Sequence, residues 1–469
     1  MARTGRPKPR IGVLALGLAA YWPQFPGMRD GLLGHYRTLL GKLGDAELVD
    51  AGFADSIEAA RAASAAFAGG DVDLVVCHLT TYATSEPLLI AVHGLDVPVV
   101  LMNVQSVPAL DMDGVHGIAD WLGVACTCAG LPEMTAVLIR GGKRFDVITG
   151  HLDGDAEVDD GLRDWCAAAS IRRTLRTRSF GLLGRPYPGM TDLHVDETAF
   201  FQRFGAYVRH LDWDDIVTQS HAVTPPERAA RVETLTAAFD LPEGEALDAV
   251  ASVLAGLDRL VETHRLCAIP NHYEGMVREE HAGILAASNP AFAVLMTEGV
   301  ACPVEADIKT ALAMLMLKHV AGSATLAELY SMDFHRDECI IGHSGAADLA
   351  VSSQRPTLQR SAVFHGKSGA GYLTQAYPKL GPVTLLSLTQ GRGGAFRLVA
   401  AEGEAVAGPG LRLGDTNCRV RFSCGLRAFV NGWASFGPTH HGVLAIGRQI
   451  DRLRRVATLF DLPLEIVCR

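Results

Sequence analysis

At 469 residues the chain is too long for one hydrophobic core and predicts roughly two to four domains. It is 48% hydrophobic and 20% charged, the balance of an ordinary globular protein, and its 42 basic against 52 acidic residues leave a net charge of −10, which argues against nucleic acid or an anionic membrane as a main partner. No apolar run approaches the roughly 20 residues that span a bilayer, and no convincing cleavage site follows the basic start, so the expected location is the cytoplasm. Several of the ten cysteines, among them Cys77 and Cys267, sit in apolar runs that suit buried free thiols in a reducing compartment.

Residues 11–16 read as a buried first strand and residues 27–43 as a helix. Residues 47–50 give a second strand, and residues 55–69 an Ala-rich helix with Asp55 as its N-cap. Residues 71–78 and 98–103 are a third and a fourth strand. Strands alternating with helices imply a parallel sheet with right-handed crossovers, whose ligands sit beyond the carboxyl ends of the strands. That places His78, Asn103 and the loop 105–116 on the functional rim.

A second α/β segment begins at residues 179–184 and runs into the turn-rich loop 185–190. Residues 225–264 look helical, residues 267–270 resemble a strand ending in the polar loop 271–275, and a long helix is expected over 307–320. After about residue 345 the texture changes. Residues 383–388, 396–400, 418–422 and 428–430 read as strands between Gly-rich turns, which predicts a mostly antiparallel β domain. Residues 391–394 are read as a hairpin turn in preference to a phosphate loop. Residues 444–459 return to a helical period, and residues 464–467 close with a strand.

Four segments carry side chains suited to a divalent metal: Pro303-Val-Glu305-Ala-Asp307, Leu326-Ala-Glu328-Leu-Tyr330, Ile341-Gly-His343-Ser-Gly345 and Gly437-Pro-Thr-His440-His441-Gly442. Two carboxylates with two imidazoles suit Mn, Co, Mg or Fe better than a structural zinc, which prefers thiolates. Their Gly and Pro neighbours put the ligands on loops at element ends. Each has a bland alternative: Glu305 as a first-turn acid of the next helix, Glu328 as a solvated acid, the His pair as a turn. Lys309 reads either as a partner to Glu305 or as a helix-face charge.

These segments resemble the L-arabinose isomerase and L-fucose isomerase superfamily, and the arabinose side more closely. Glu298-Gly-Val-Ala-Cys-Pro-Val-Glu305-Ala-Asp-Ile-Lys309-Thr-Ala is similar to the family's E-x-D-x-K-T-A stretch. Residues 326–334 resemble its second acidic segment in a loose register, which leaves Asp333 as an alternative to Glu328. Ile341-Gly-His343 resembles its histidine segment, and Thr439-His-His441 its C-terminal His-His pair, whose second member binds metal. In the front half, His116-Gly117, Val147-Ile-Thr-Gly-His151 and Gly184-Arg-Pro-Tyr-Pro-Gly-Met190 resemble the His-Gly loop, a T-G-H strand end and a substrate-loop methionine segment.

The resemblance implies an α/β fold: two Rossmann-like parallel-sheet domains, 1–175 and 176–344, followed by a C-terminal mostly antiparallel β domain, 345–469. It implies Glu305, Glu328, His343 and His441 as ligands of a divalent metal, Mn first with Co or Mg as alternatives, and Glu305 and Glu328 as the acid/base pair. The sugar contacts expected are His78, His116, Met190, Tyr273, Glu274 and His440. The activity implied is metal-dependent aldose–ketose isomerisation of a free monosaccharide through an enediol, in a homo-oligomer (trimer or hexamer). The loops 19–25 and 271–275 depart from the arabinose enzymes, so the sequence reads as a divergent member whose sugar is open. The competing readings are a metal-dependent epimerase or isomerase of a non-classical sugar or inositol-like substrate, and a non-catalytic sugar-binding protein. A pure binder has no need of four ligand positions.

Overall fold

The computed structural model describes residues 6–272, 282–362, 370–413 and 415–469. They divide into two compact units, one of residues 6–173 with 455–461, the other of residues 174–454 with 462–469.

In the first unit five strands form an all-parallel sheet: β1 (Arg10–Leu16), β2 (Glu47–Ala54), β3 (Leu74–Leu79), β4 (Val99–Gln105) and β5 (Phe145–His151). Their order is β2-β1-β3-β4-β5. The apolar runs 74–77 of β3 and 99–102 of β4 fit strands covered on both faces. Leu14, Cys77 and Leu101 pack with Phe67, Leu88 and Met134 on one side, and Ala15 packs with Leu32, Tyr36 and Phe53 on the other. Helix Ile57–Gly69 is capped by Ser56, whose hydroxyl accepts from Ala59 N at 3.2 Å, and not by Asp55. Asp55 lies one residue outside the helix, where its carboxylate accepts from Trp22 Nε1 at 2.8 Å.

The second unit opens with a smaller parallel sheet, β6 (Ser179–Leu183), β7 (Val208–Leu211) and β8 (Leu266–Ala268), in the order β7-β6-β8. Bridges pairing Ala268 with Ala301 and Asn271 with Val304 lay residues 301–304 parallel beside 268–271. That run delivers the chain to Glu305. Helix Ile308–Ala321 follows and is buried from Ile308 through Val320. It has no polar stripe because it packs against β8 and against strands of a barrel on its other sides.

The barrel is antiparallel and closed. It uses β9 (Thr325–Asp333) and β10 (Glu338–His343) and, after the separate antiparallel pair β11 (Thr357–Ala362) and β12 (Ala370–Gln375), β13 (Gly381–Gln390), β14 (Phe396–Val406), β15 (Thr416–Arg421) and β16 (Gly442–Ile446). Pairing runs β9-β10-β15-β14-β13-β16 and returns to β9, with β17 (Leu464–Cys468) added parallel to β14. Closure leaves no free edge among these six strands.

The expected strand at 428–430 is instead part of helix Leu426–Ser435, whose Leu426, Phe429 and Trp433 recur at helical spacing on the buried face. A three-residue apolar window cannot show that period. The stretch 444–459 splits into β16 and the helix Ile450–Phe460, and 225–264 into helices Pro225–Ala238 and Asp248–His264. Residues 391–394 do form the turn of an antiparallel hairpin, β13–β14. Cys424 and Cys468 are joined as a disulfide, so free thiols are confined to the other eight cysteines. The bridge spans 44 residues and is made by β17 returning beside the turn after β15, which no local pattern announces. Among the described residues no helix is long and apolar enough to cross a membrane.

Candidate metal centre

The barrel register assembles the site. β9 lies between β16 and β10, with Ala327 opposite Gly442 and Glu328 opposite Gly342. One step further along each neighbour, His343 at the end of β10 and His441 just before β16 therefore flank Glu328 in the middle of β9. Gly342 is needed for this approach: a Cβ there would stand 2.4 Å from the carbonyl oxygen of Thr416 on β15. Glu305 enters from the turn before helix Ile308–Ala321, which packs on β9 and β16. That turn holds two successive residues with left-handed backbone, Glu305 at φ 63° and Ala306 at φ 59°. Non-glycine residues in this region cost on the order of 1–3 kcal/mol each and persist where the surroundings impose them. Here Ala306 N donates to Asn271 O at 3.0 Å, and Tyr187 N to Glu305 O at 3.3 Å.

Side-chain donors converge as two overlapping groups, Glu305 with His343 and His441, and Glu328 with His440 and His441. Within each group the candidate ligand atoms lie within 4.8 Å of one another. His441 is fully buried, with Nδ1 3.2 Å from Asp307 Oδ2. Its Nε2 is 3.3 Å from Glu305 Oε2 but out of line for a hydrogen bond, and no other described group completes it. His343 donates Nδ1–H to Ser344 O at 2.7 Å, which leaves the Nε2 lone pair free, 3.8 Å from Glu328 Oε2. A carboxylate or carbonyl holding one imidazole nitrogen while the other faces an acidic cluster is the arrangement of a metal-ligating histidine. The donor set of two carboxylates and two or three imidazoles thus fits a divalent ion.

The titrations diverge. Burial works against ionising Glu305, yet His440 and His441 hold its pKa well below the usual carboxylate range. Burial pushes Glu328 upward, against the pull of His441 and His440. One carboxylate is held ionised and its neighbour is drawn toward keeping a proton. Burial pushes His343 down to about 4, which makes it a neutral donor. For His441 burial is outweighed by Asp307 and Glu305, and its pKa is raised. His440 is raised as well, chiefly by Glu305 and, against burial, by Asp192.

Two members of this network were not singled out from the sequence. Asp307 caps the helix, accepting from Thr310 N at 3.0 Å and Thr310 Oγ1 at 2.7 Å, while its other contact braces His441. The Asp-x-x-Thr spacing signals the cap but not the brace. Asp192 accepts from His440 N at 3.0 Å and His440 Nδ1 at 2.7 Å across 248 residues of sequence, and nothing local marks it. Lys309 is neither a partner to Glu305 nor an exposed helix charge. It is 1% exposed and donates to Leu193 O at 3.0 Å and His194 O at 2.9 Å, because its helix is buried all round. Asp333, the alternative to Glu328, is engaged by Arg336 at 3.1 Å and by Arg419 at the far end of β9.

Met190 lies half-buried in the loop after β6, with its N donating to Tyr187 O at 3.2 Å. His78 and His116 belong to the first unit. His78 is buried, with Nε2 3.1 Å from Val104 O, and His116 is exposed, its backbone N donating to Asp120 at 2.9 Å. Tyr273 and Glu274 lie outside the described residues.

No family model matches the chain. It is similar to L-arabinose isomerase 1 of Bacillus licheniformis, with 22% identity over 381 residues that cover 79% of this chain and 76% of that protein. The relationship to the arabinose isomerases is therefore distant and extends over most of both chains.

Proposed function

We propose that this protein is a metal-dependent aldose–ketose isomerase of a free monosaccharide, acting through an enediol. The observation that carries this reading is the convergence of Glu305, Glu328, His343 and His441 at one end of the barrel. The distant likeness to a sugar isomerase supports it. Glu305, Glu328, His343 and His441 would hold a divalent ion, with Mn the first candidate and Co or Mg the alternatives. Such an ion polarises a carbonyl and its neighbouring hydroxyl, which lowers the barrier to removing the intervening C–H proton.

The protein's own groups handle the protons. An ionised carboxylate takes the proton from the carbon beside the carbonyl, and the same proton returns to the former carbonyl carbon. A hydroxyl proton crosses between the two oxygens, so the reaction needs no redox partner. Glu305 and Glu328 share this acid/base work. His440, between Asp192 and the two glutamates, orients a sugar hydroxyl. Met190 lines the sugar side of the site. The domain boundary at residue 175 and a homo-oligomeric assembly belong to the same proposal, whereas a boundary at 344 would cut β9 and β10 from the barrel they complete.

The test is a panel of pentoses, hexoses and deoxy sugars incubated with added Mn, Co or Mg, with aldose–ketose conversion followed by NMR. Conversion of at least one sugar, abolished by a chelator and restored by the ion, is expected. Binding of sugar and metal without conversion across the panel would defeat the reading.

A further inference from the structure

We infer that Lys309 and Asp192 are positioning residues for His440. Lys309 locks the loop 187–194 onto the acidic segment 305–309, and Asp192 on that loop sets the orientation of the imidazole. A lysine ammonium at 1% exposure is costly to desolvate unless its donors are satisfied. Lys309 satisfies two of them on consecutive carbonyls, Leu193 O at 3.0 Å and His194 O at 2.9 Å. The other end of the loop is tied to the same segment, with Tyr187 N donating to Glu305 O at 3.3 Å.

Between these two ties stands the turn Thr191–Leu193. Its Asp192 carboxylate oxygen Oδ2 accepts from both the backbone N and the Nδ1 of His440. Two donors from one residue to one oxygen fix the ring about both the backbone and χ1. Nε2 is thereby turned toward Glu305 Oε2 at 3.3 Å and Glu328 Oε1 at 3.7 Å. Segment 305–309 thus sets both histidines of the pair: Asp307 holds His441 directly, and Lys309 holds His440 through the loop.

The kinetic and Mn2+ arms of the test rest on the proposed function, and the NMR arm does not. The full chain is prepared as Asp192→Asn and as Lys309→Met, with folding checked by near-ultraviolet circular dichroism. Histidine 15N spectra are recorded without metal, His440 being assigned from its loss in His440→Gln. Asp192→Asn is expected to shift the His440 Nδ1 resonance, because the charged acceptor that faces it is replaced by a neutral amide. Mn2+ binding, titrated calorimetrically, should stay within about threefold in both variants, whereas kcat on L-arabinose falls about 10–100-fold with KM little changed. An unchanged His440 signal in Asp192→Asn overturns the role of Asp192. A loss of Mn2+ affinity in Lys309→Met as large as in Asp307→Asn overturns that of Lys309, since general loosening of the site would then explain it. Should Lys309→Met not fold, Asp192→Asn decides. Should wild-type protein fail to turn over L-arabinose, the isomerase reading loses that sugar, and the NMR arm still judges the positioning.

Discussion

The rim of the five-stranded parallel sheet and the open end of the barrel both present histidines at strand ends, and they use them in opposite ways. His78 closes β3, is buried, and spends Nε2 on a single backbone carbonyl. Burial pushes its pKa down to about 4. His441 is equally buried, but a carboxylate braces Nδ1 and Nε2 faces a second carboxylate with no aligned partner. The same side chain at the same depth is therefore held neutral beside a backbone carbonyl in one place and set between two carboxylates in the other. Burial does not distinguish them; the number and aim of neighbouring carboxylates does.

The comparison breaks most visibly at the glutamates. Glu305→Gln and Glu328→Gln should each lower sugar isomerisation on the order of a thousandfold, measured as kcat with Mn2+ present. Retained turnover in both variants would remove the proton-shuttle mechanism.

His78 supplies the next effect, on stability. Its folded pKa lies near 4 against an ordinary value of about 6.5, so between these pH values the unfolded chain binds a proton that the folded chain refuses. Its contribution is fully present above about pH 6.5 and is lost as the pH falls toward 4, by about 3 kcal/mol. Urea melts from pH 7 to 4 should show that loss, and His78→Gln should flatten it. An unchanged slope would mean that His78 does not carry the titration.

Asp307→Asn removes the brace on His441 but leaves every proposed ligand in place. Mn2+ affinity should fall about 10–100-fold, read by calorimetry, and a value matching wild type would show that the brace is dispensable. The smallest effect is expected at Gly342→Ala, where the new methyl meets Thr416 O and must push β10 from β15. A stability loss of about 1–2 kcal/mol in thermal melts, together with weaker metal binding through the displaced His343, would tie barrel packing to the site.

Local sequence carried the periodic elements well. The first four strands of the parallel sheet and the buried helix after Asp307 were legible because apolar runs and caps are short-range signals, whereas β5 was marked only by likeness to a family. The segments holding Glu305, His343 and His440-His441 stood out by their Gly and Pro neighbours and by likeness to a family. Helix Leu426–Ser435 was lost because three apolar residues fit a strand as well as a helix.

Sequence by itself thus determined which residue types were available and which short segments bore them. Only the tertiary structure shows that Glu328 stands 3.8 Å from His343 while Asp333 is engaged by Arg336 and Arg419. It alone revealed Asp192 and the double duty of Asp307, and it moved Lys309 from a helix face to the carbonyls of a distant loop. The physical reason is one of range. Propensities, caps and turns act over a few residues, whereas a donor cluster is made by strand pairing and helix packing between segments a hundred or more residues apart, and no spacing along the chain records that register.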